Sequence, residues 1–213
     1  MSSKSHHVTR DPFTGVQVRV GVMGSAGGPA DAGLLARCRQ LGRTIAMRGC
    51  CLLTGACPGL PHEAVLGARD AGGHIIGISP AISLKEHVEV YRSPYEEYNV
   101  LIFTGLGLMG RELVNIRSCD IVVVVGGRSG TLGEFAIAYE EGKLIGVLAE
   151  TGGITAALPG IVDSLSGAKS TGAEVLYEAE PDRLVDSLLQ RYLFAGYRCP
   201  CYPSSEGREG PTS

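Results

Sequence analysis

Residues 120–143 read DIVVVVGGRSGTLGEFAIAYEEGK, and this stretch decides the fold. Five consecutive apolar residues, Ile121 to Val125, are followed at once by two glycines. A helical pattern then starts near Thr131 and carries a single early carboxylate, Glu134. An uninterrupted apolar strand that ends in glycines and leads into a helix is typical of a parallel sheet with both faces covered by helices.

Units of strand, glycine loop and helix recur along the chain, so the sequence predicts a single doubly wound, Rossmann-like α/β domain with a mostly parallel sheet. This domain is expected over residues 16–195, between flexible ends at residues 1–15 and 196–213. Residues 81–99 show no clear period. Strands are predicted at 16–23, 50–54, 74–78, 100–103, 120–125, 144–148 and 174–177, and helices at 30–47, 61–72, 108–118, 131–141, 154–165 and 181–192.

The composition excludes several classes of protein. The chain has 213 residues, of which 44% are hydrophobic and 19% charged, and its formal net charge is −3. That charge argues against a nucleic-acid-binding surface, which normally clusters lysines and arginines. No apolar run approaches the roughly 20 residues needed to cross a bilayer, and no secretory signal pattern is present. A cytoplasmic protein without nucleic-acid or membrane partners is therefore expected.

The seven cysteines do not indicate a metal site. Cys199 and Cys201 form a C-x-C in a tail rich in proline, glycine and serine, and the second half of a zinc site is missing. Cys119 precedes a buried strand, with no histidine nearby in sequence to activate it, so packing is the favoured role. No metal is predicted.

Four glycine loops follow predicted strands, at residues 24–28, 55–59, 104–107 and 126–130. In a parallel sheet these loops lie at one edge, where bare backbone N–H groups and helix N-termini favour an anionic group. One such loop is ordinary turn chemistry, but four indicate a small phosphorylated ligand. The candidate binding residues are Gly24, Ser25, Gly55, Gly59, Thr104, Gly105, Gly126, Gly127, Arg128, Ser129, Gly130 and Thr131.

Two common nucleotide-binding motifs are absent. The spacing Gly21-x-x-Gly24-x-x-Gly27 differs from the G-x-G-x-x-G dinucleotide fingerprint, and no acid closes a second strand about 20 residues later to hold a ribose. No loop carries the Lys-Ser/Thr pair of a P-loop. A standard NAD-dependent enzyme or ATPase is therefore unexpected.

Two charged residues are candidate catalytic groups, each with an ordinary alternative. Glu134, in the first turn of its predicted helix, fits a capping box with Thr131, but it also projects back toward the glycine loop. Arg111, in the first turn of the preceding helix, either forms a surface ion pair with Glu112 or Glu134 or supplies a forked donor to a phosphate or ribose. His62 and Glu63, at another helix start, are weaker candidates beside the second glycine loop.

These motifs resemble the LOG superfamily. Residues 125–134, VGGRSGTLGE, resemble the family's P-G-G-x-G-T-x-x-E signature, and residues 104–111, TGLGLMGR, precede them as an upstream arginine segment does in that family. Residues 55–72 and 77–80 also match, so the resemblance covers about residues 18–162. With glycine in place of the signature proline, this loop is more similar to those of the molybdenum cofactor carrier branch of the superfamily.

The resemblance implies a Rossmann-like fold, a homo-oligomer (a dimer or higher) and a nucleotide-like phosphate ligand. The best-known members hydrolyse the N-glycosidic bond of cytokinin riboside 5′-monophosphates. Their catalytic pair corresponds to Arg111 and Glu134, and their phosphate loop to residues 127–131. The family box M-H-x-R-K is reduced here to Met109-Gly110-Arg111-Glu112, without its histidine and lysine.

Two functions stay open at this point. One is hydrolysis of a nucleoside 5′-monophosphate, in which Glu134 would steady an oxocarbenium-like transition state. The other is non-catalytic carriage of molybdenum cofactor or a related pterin phosphate, for which no further cofactor is required. Both need the same bound phosphate, with molybdenum cofactor or a nucleotide as the expected ligand.

Overall fold

The central element is a seven-stranded sheet in which all neighbouring strands run parallel. The computed structural model describes residues 7–165, 171–194 and 197. The strand order is β4-β3-β2-β1-β5-β6-β7, which confirms the doubly wound α/β prediction. The strands are β1 (Arg19–Gly24), β2 (Cys51–Thr54), β3 (Ile75–Ser79), β4 (Val100–Phe103), β5 (Ile121–Val125), β6 (Leu144–Leu148) and β7 (Glu174–Glu178).

Helices cover both faces of the sheet, because both faces of its central strands are apolar. The helices are α1 (Ala32–Met47), α2 (Leu60–Asp70), α3 (Leu84–Glu89), α4 (Gly107–Arg117), α5 (Ser129–Glu140), α6 (Leu158–Leu165) and α7 (Pro181–Leu193). Side chains of α1, α2 and α7 pack in one core cluster with alternate residues of β1 and β5. Side chains of α4, α5 and α6 pack in a second cluster with the residues between them.

The strand order reverses between β1 and β5, which pair over five residues from Val20–Ile121 to Gly24–Val125. From β1 the chain proceeds to β2, β3 and β4 on one side, and from β5 to β6 and β7 on the other. In open α/β sheets ligands bind beyond the carboxyl ends of the strands at such a switch point. The loops that follow β1 and β5 are therefore the ones placed to bind a ligand.

Several element boundaries differ from the sequence predictions. The first strand begins at Arg19 rather than residue 16, and α5 begins at Ser129 rather than near Thr131. Residues 81–99, which have no clear period, contain the short helix α3, whose N-cap Ser83 accepts a hydrogen bond from Glu86 N. The helix predicted at 154–165 is divided into a 3-10 helix at Gly153–Ala156 and α6.

The segment before β1 packs against the amino edge of the sheet. Thr9 N donates to Gly49 O at 3.0 Å, and Val18 N donates to Thr9 O at 3.0 Å. The buried Asp11 accepts a hydrogen bond from the Tyr192 hydroxyl at 2.5 Å, which joins this segment to α7. Residues 7–15 of the predicted flexible end therefore make specific contacts. Of the predicted tail at 196–213, all but Tyr197 lies outside the described residues.

Candidate ligand-binding site

The loop after β5 requires glycine. Gly126 and Gly127 have φ angles of 55° and 93°, a region that L side chains rarely adopt. An added Cβ at Gly127 would lie 2.2 Å from the Thr131 hydroxyl oxygen, so only glycine lets the start of α5 fold back over the loop. From the other side, Ile154 N donates to Gly127 O at 2.9 Å, and Gly126 N donates to the Thr151 hydroxyl at 2.8 Å.

Helix α5 points its N-terminus at this loop. Its first intrahelical N–H bond runs from Leu132 to the Arg128 carbonyl, so the N–H groups of residues 129–131 have no acceptor within the helix. Such amides, together with the helix dipole, favour an anion. The capping-box alternative for Thr131 and Glu134 is wrong, because the N-cap is Arg128 and Thr131 is the third residue of the helix.

The loops after β1 and β2 approach each other closely beside the β5 loop. Leu60 N donates to Ser25 O at 2.9 Å. An added Cβ at Gly59, where φ is 86°, would lie 2.2 Å from the same oxygen. Glycine at position 59 therefore lets the start of α2 approach the β1 loop. Three of the four predicted glycine loops meet in this way at the switch point.

A cavity of about 240 Å³ lies between the β1 and β2 loops and the starts of α4 and α5. Arg111, Glu112 and Glu134 are its charged lining residues, together with Arg128 at its mouth. Arg111 and Glu134 are 6% and 7% exposed, which rules out the surface ion pair considered for Arg111. The other lining residues are Val22, Met23, Gly24, Ser25, Ala26, Gly55, Cys57, Pro61, Leu108, Ser129, Gly130 and Thr131.

Arg111 and Glu134 form a buried ion pair with each other. The distance from Arg111 Nη1 to Glu134 Oε1 is 3.3 Å. The Arg111 Nε is buried and, within the described residues, has no hydrogen-bond partner. An unpaired buried N–H of a charged group costs free energy that a ligand acceptor would offset. The arginine therefore has donor capacity left for a ligand.

Gly55 makes room for this arginine. An added Cβ at Gly55 would lie 2.1 Å from Arg111 Nη1 and 2.6 Å from Cζ. The φ angle of Gly55 lies outside the left-handed region, so glycine is needed at this position for space rather than for backbone conformation. Gly55 therefore contributes to the site by admitting the guanidinium.

The two carboxylates of the smaller cavity are both harder to ionise than usual. Burial raises the pKa of Glu134 to about 7, although Arg111 opposes the rise, and the neighbouring charge of Glu112 adds to it. Burial likewise raises the pKa of Glu112 against the opposing effect of Arg111. Two acids thus share one arginine, and Glu134 titrates near neutral pH.

A second, larger cavity of about 440 Å³ lies on the other side of the β1 loop, next to α1. Its walls are mainly apolar or glycine, with Leu34 and Leu35 from α1 and Leu60 from α2. Ser25 and Arg128 line both cavities. The remaining lining residues are Gly27, Gly28, Pro29, Ala30, Gly59, Gly126, Gly127, Thr151 and Gly153.

Ten of the twelve predicted ligand-binding residues line one cavity or both, as do Arg111 and Glu134. Thr104 and Gly105 are not among the described lining residues. The Thr104 hydroxyl donates to Ser79 O at 2.7 Å, and Gly105 N donates to Ala81 O at 3.0 Å. They follow β4, which lies at the edge of the sheet, three strands from β1.

The weaker candidates lie elsewhere or have structural roles. His62 and Glu63 are not among the described residues that line either cavity, and burial lowers the pKa of His62. Cys119 is buried in the core, and burial raises the pKa of its thiol well above the ordinary value, as packing predicts. Among the described residues, no cluster of three or more His, Cys, Asp or Glu is placed to hold a metal ion.

The sequence did not single out some lining residues. Leu34 and Leu35 fit the apolar face of α1 and so looked like core residues. Thr151 lies in an irregular segment after β6, where only its contact with Gly126 marks it. Cys57 lines the smaller cavity, where burial raises the pKa of its thiol to about 11, so the thiol is protonated at neutral pH.

The glycine loops at the switch point and the two adjoining cavities define a ligand-binding α/β protein of the Rossmann-like class. The chain belongs to the SLOG cluster4 family, whose family model matches residues 17–185. This match confirms the predicted relationship to LOG-like proteins. Within the residues that the structure describes, no helix has the length and apolar character of a membrane span.

Relatives of known structure include molybdenum cofactor proteins. The molybdenum cofactor carrier protein of Chlamydomonas reinhardtii is 28% identical, with a TM-score of 0.66, and the match covers 83% of this chain and 98% of that protein. The molybdenum cofactor binding protein of Rippkaea orientalis is 29% identical, with a TM-score of 0.64, over 81% of this chain and 97% of its own.

A relative in sequence comes from Archaeoglobus fulgidus. This uncharacterised protein is 29% identical over 131 residues, which are 62% of this chain and 80% of the relative.

Proposed function

We propose that this protein binds a small phosphorylated ligand, a pterin phosphate or a nucleotide, at the switch point between β1 and β5. The observation that carries the proposal is the convergence of donors on one place. The first amides of α5, the Arg128 side chain and the Nε of Arg111, which has no partner among the described residues, all adjoin the smaller cavity. Backbone amides at a helix start and a planar guanidinium are the donors that phosphate oxygens prefer.

The first candidate ligand is molybdenum cofactor or a related pterin phosphate, bound without turnover. The similarity to two molybdenum cofactor proteins supports it, since almost the full length of each is matched. Pterin edges combine hydrogen-bond donors and acceptors, and the carboxylates of Glu112 and Glu134 can accept from such donors. In this role Arg111 and Glu134 hold the ligand and perform no chemistry, and no additional cofactor is required.

The second candidate is hydrolysis of the N-glycosidic bond of a nucleoside 5′-monophosphate, with Arg111 and Glu134 as catalytic residues. It is favoured by the pKa of Glu134, which burial raises to about 7. A carboxylate that titrates near neutral pH suits acid–base work on a water molecule. Water would add to the sugar C1′ as the carbon–nitrogen bond breaks. The base would leave with the bonding electrons and take up a proton, and ionised Glu134 would steady the positive sugar carbon.

One experiment tests the proposal and separates its two forms. The purified protein is denatured, and the released small molecules are identified by mass spectrometry. Nucleoside 5′-monophosphates are then incubated with the protein and assayed for free base. A phosphorylated pterin without base release supports carriage, whereas base release that disappears in Glu134→Gln, at an unchanged melting temperature, supports hydrolysis. No co-purified phosphate compound, together with no binding of nucleotides or pterin phosphates, would refute the proposal.

We also propose that the protein is a cytoplasmic homo-oligomer. Exposed apolar side chains at the start of α4 support self-association, among them Leu106, Leu108 and Met109, which are 55%, 55% and 74% exposed. Exposed apolar groups of this kind mark association surfaces when they are contiguous. The described cysteines are free thiols, as expected in a reducing compartment. Sedimentation of wild type and Met109→Asp tests the assembly, which the aspartate should weaken.

A further inference from the structure

The two cavities adjoin one another along the β1 loop. Ser25 and Arg128 line both of them, so they mark the junction. The smaller cavity lies toward β2 and the helices α4 and α5, whereas the larger lies toward α1 and the β5–β6 side. Because α1 and α5 cover opposite faces of the sheet, the pair of cavities crosses the sheet edge from one face to the other.

The walls of the two cavities differ in chemistry. Three buried charged side chains line the smaller one, and one of them, Arg111, has a buried Nε without a partner among the described residues. The larger cavity has three leucines, a proline and glycine backbone, and its Thr151 hydroxyl already bonds the Leu148 carbonyl and Gly126 N. The first suits a polar head and the second a flat ring held by its faces.

Ser25 and Arg128 lie at the junction, and the other phosphate donors, the first amides of α5 and the Arg111 guanidinium, adjoin it from the smaller cavity. Arg128 is exposed at the junction, and it is the N-cap of α5, directly before the amides that have no acceptor within that helix. A phosphate at this point would have an open cavity on each side. A mononucleotide has one nucleoside, so with its phosphate at this point it would fill only one of them.

We infer that the site takes a two-ended phosphate ester, a dinucleotide-like molecule whose central phosphate lies at Ser25 and Arg128 and whose two ring systems occupy the two cavities. This inference rests on the proposed function and names its ligand class more narrowly. The volumes of the cavities agree with it. Sites for drug-sized ligands hold about 300–1,000 Å³. The larger cavity, at about 440 Å³, can therefore hold one end of the ligand and leave the charged cavity for the other end.

Two alanines provide a matched pair of blocking substitutions. Ala26 lines only the smaller cavity and Ala30 only the larger, and both are exposed in the β1 loop. Tryptophan at either position fills one cavity without disturbing the core. Ala36, exposed on α1 and lining neither cavity, gives the control Ala36→Trp. Melting temperatures of the three variants verify folding.

Binding is measured by calorimetry with matched probes. The first pair is guanosine 5′-monophosphate and P1,P2-di(guanosine 5′) diphosphate. The second pair is adenosine 5′-monophosphate and P1,P2-di(adenosine 5′) diphosphate. We expect at least one dinucleotide to bind about tenfold or more tightly than its mononucleotide, as a second filled cavity should give. Ala26→Trp and Ala30→Trp should each remove most of that advantage. The mononucleotide should respond to only one of them, and Ala36→Trp should change neither.

The outcomes separate the inference from the proposed function. Equal affinity for mononucleotide and dinucleotide, with both sensitive to the same single tryptophan, would overturn the two-ended ligand and leave phosphate binding intact. A dinucleotide advantage that survives both tryptophans would overturn it as well, because the second ring would lie elsewhere. If neither class of probe binds and no phosphorylated molecule co-purifies, the proposed function itself fails.

Discussion

Arg111 and Glu134 lie on successive helices, 23 positions apart in the chain, and their side chains meet at 3.3 Å in a buried ion pair. Each side chain lines the smaller cavity, so the pair is both a structural contact and part of the site. Removing one partner of a buried pair leaves an uncompensated charge and typically costs about 3–5 kcal/mol. Tests of the site are therefore best made by displacing or neutralising groups around the pair.

Gly55→Ala should displace the Arg111 guanidinium. The new Cβ would lie 2.1 Å from Nη1, so the arginine must move, and the loss of its bond to a phosphate ligand should weaken binding by about tenfold or more. Titration calorimetry with guanosine 5′-monophosphate measures the effect. Gly160→Ala, where nothing lies within 4 Å of the added carbon, is the control and should leave affinity unchanged. An unaltered affinity in Gly55→Ala would remove Arg111 from the binding site.

Arg128→Ala should weaken phosphate binding without affecting the fold, because Arg128 is exposed and lies at the junction of the cavities. A hydrogen bond to a charged group is worth about 1.5–3 kcal/mol, so affinity should fall about 10-fold to 100-fold. The dependence of affinity on salt should also become shallower. Arg183→Ala, on the exposed side of α7, is the matched control. Equal affinities in the two variants would exclude Arg128 as a phosphate donor.

Glu112→Gln should strengthen the binding of a phosphate monoester. Burial raises the pKa of Glu112, but its carboxylate is increasingly ionised as the pH rises, and the negative charge then opposes an anionic ligand in the same cavity. We expect an increase of about threefold to tenfold at pH 8 and a smaller increase at pH 5. Glu140→Gln, at the exposed end of α5, serves as the control. Weaker binding in Glu112→Gln would mean that the carboxylate accepts a bond from the ligand.

The pH dependence of folding should carry the signature of Glu134. Burial raises its pKa from 4.5 to about 7, so the folded state holds this proton more tightly than the unfolded state does. The free energy of unfolding that this proton contributes is therefore fully present below pH 4.5. It is lost as the pH rises to 7, and the loss amounts to roughly 3 kcal/mol. Denaturant unfolding of wild type and Glu134→Gln at several pH values gives the free energy of unfolding as a function of pH. The variant should show the smaller slope between pH 4.5 and 7. Parallel slopes would contradict the raised pKa.

Apolar runs were sufficient to predict the sheet and its parallel class, because a strand covered on both faces has little choice of residue. The placement of Arg111 and Glu134 in one site was also predicted, from their positions in the first turns of helices that follow glycine loops, whereas their buried ion pair was not. Strand order was not accessible in this way. Without it, the loop at residues 104–107 could not be distinguished from the others, although β4 lies at the far edge of the sheet.

The larger cavity was hidden for a different reason. Leu34 and Leu35 satisfy the apolar periodicity of α1 whether they face a core or a cavity, since both environments select the same side chains. The predicted start of α5 was two residues too late. Its N-cap, Arg128, makes no side-chain capping bond and so gives no signal in the sequence. The larger cavity and the start of α5 both depend on how separate segments of the chain pack together in three dimensions.

The hydrogen bond between Tyr192 and Asp11 connects positions 181 residues apart in the chain. It lies at the amino edge of the sheet, away from the ligand cavities at the carboxyl edge. A peptide joining Tyr197, which is buried in the core, to residue 7 would therefore close the backbone into a ring without crossing the site. The protein should tolerate circular permutation, or fusion of a reporter at the amino edge of the sheet, while its cavities stay open to ligand.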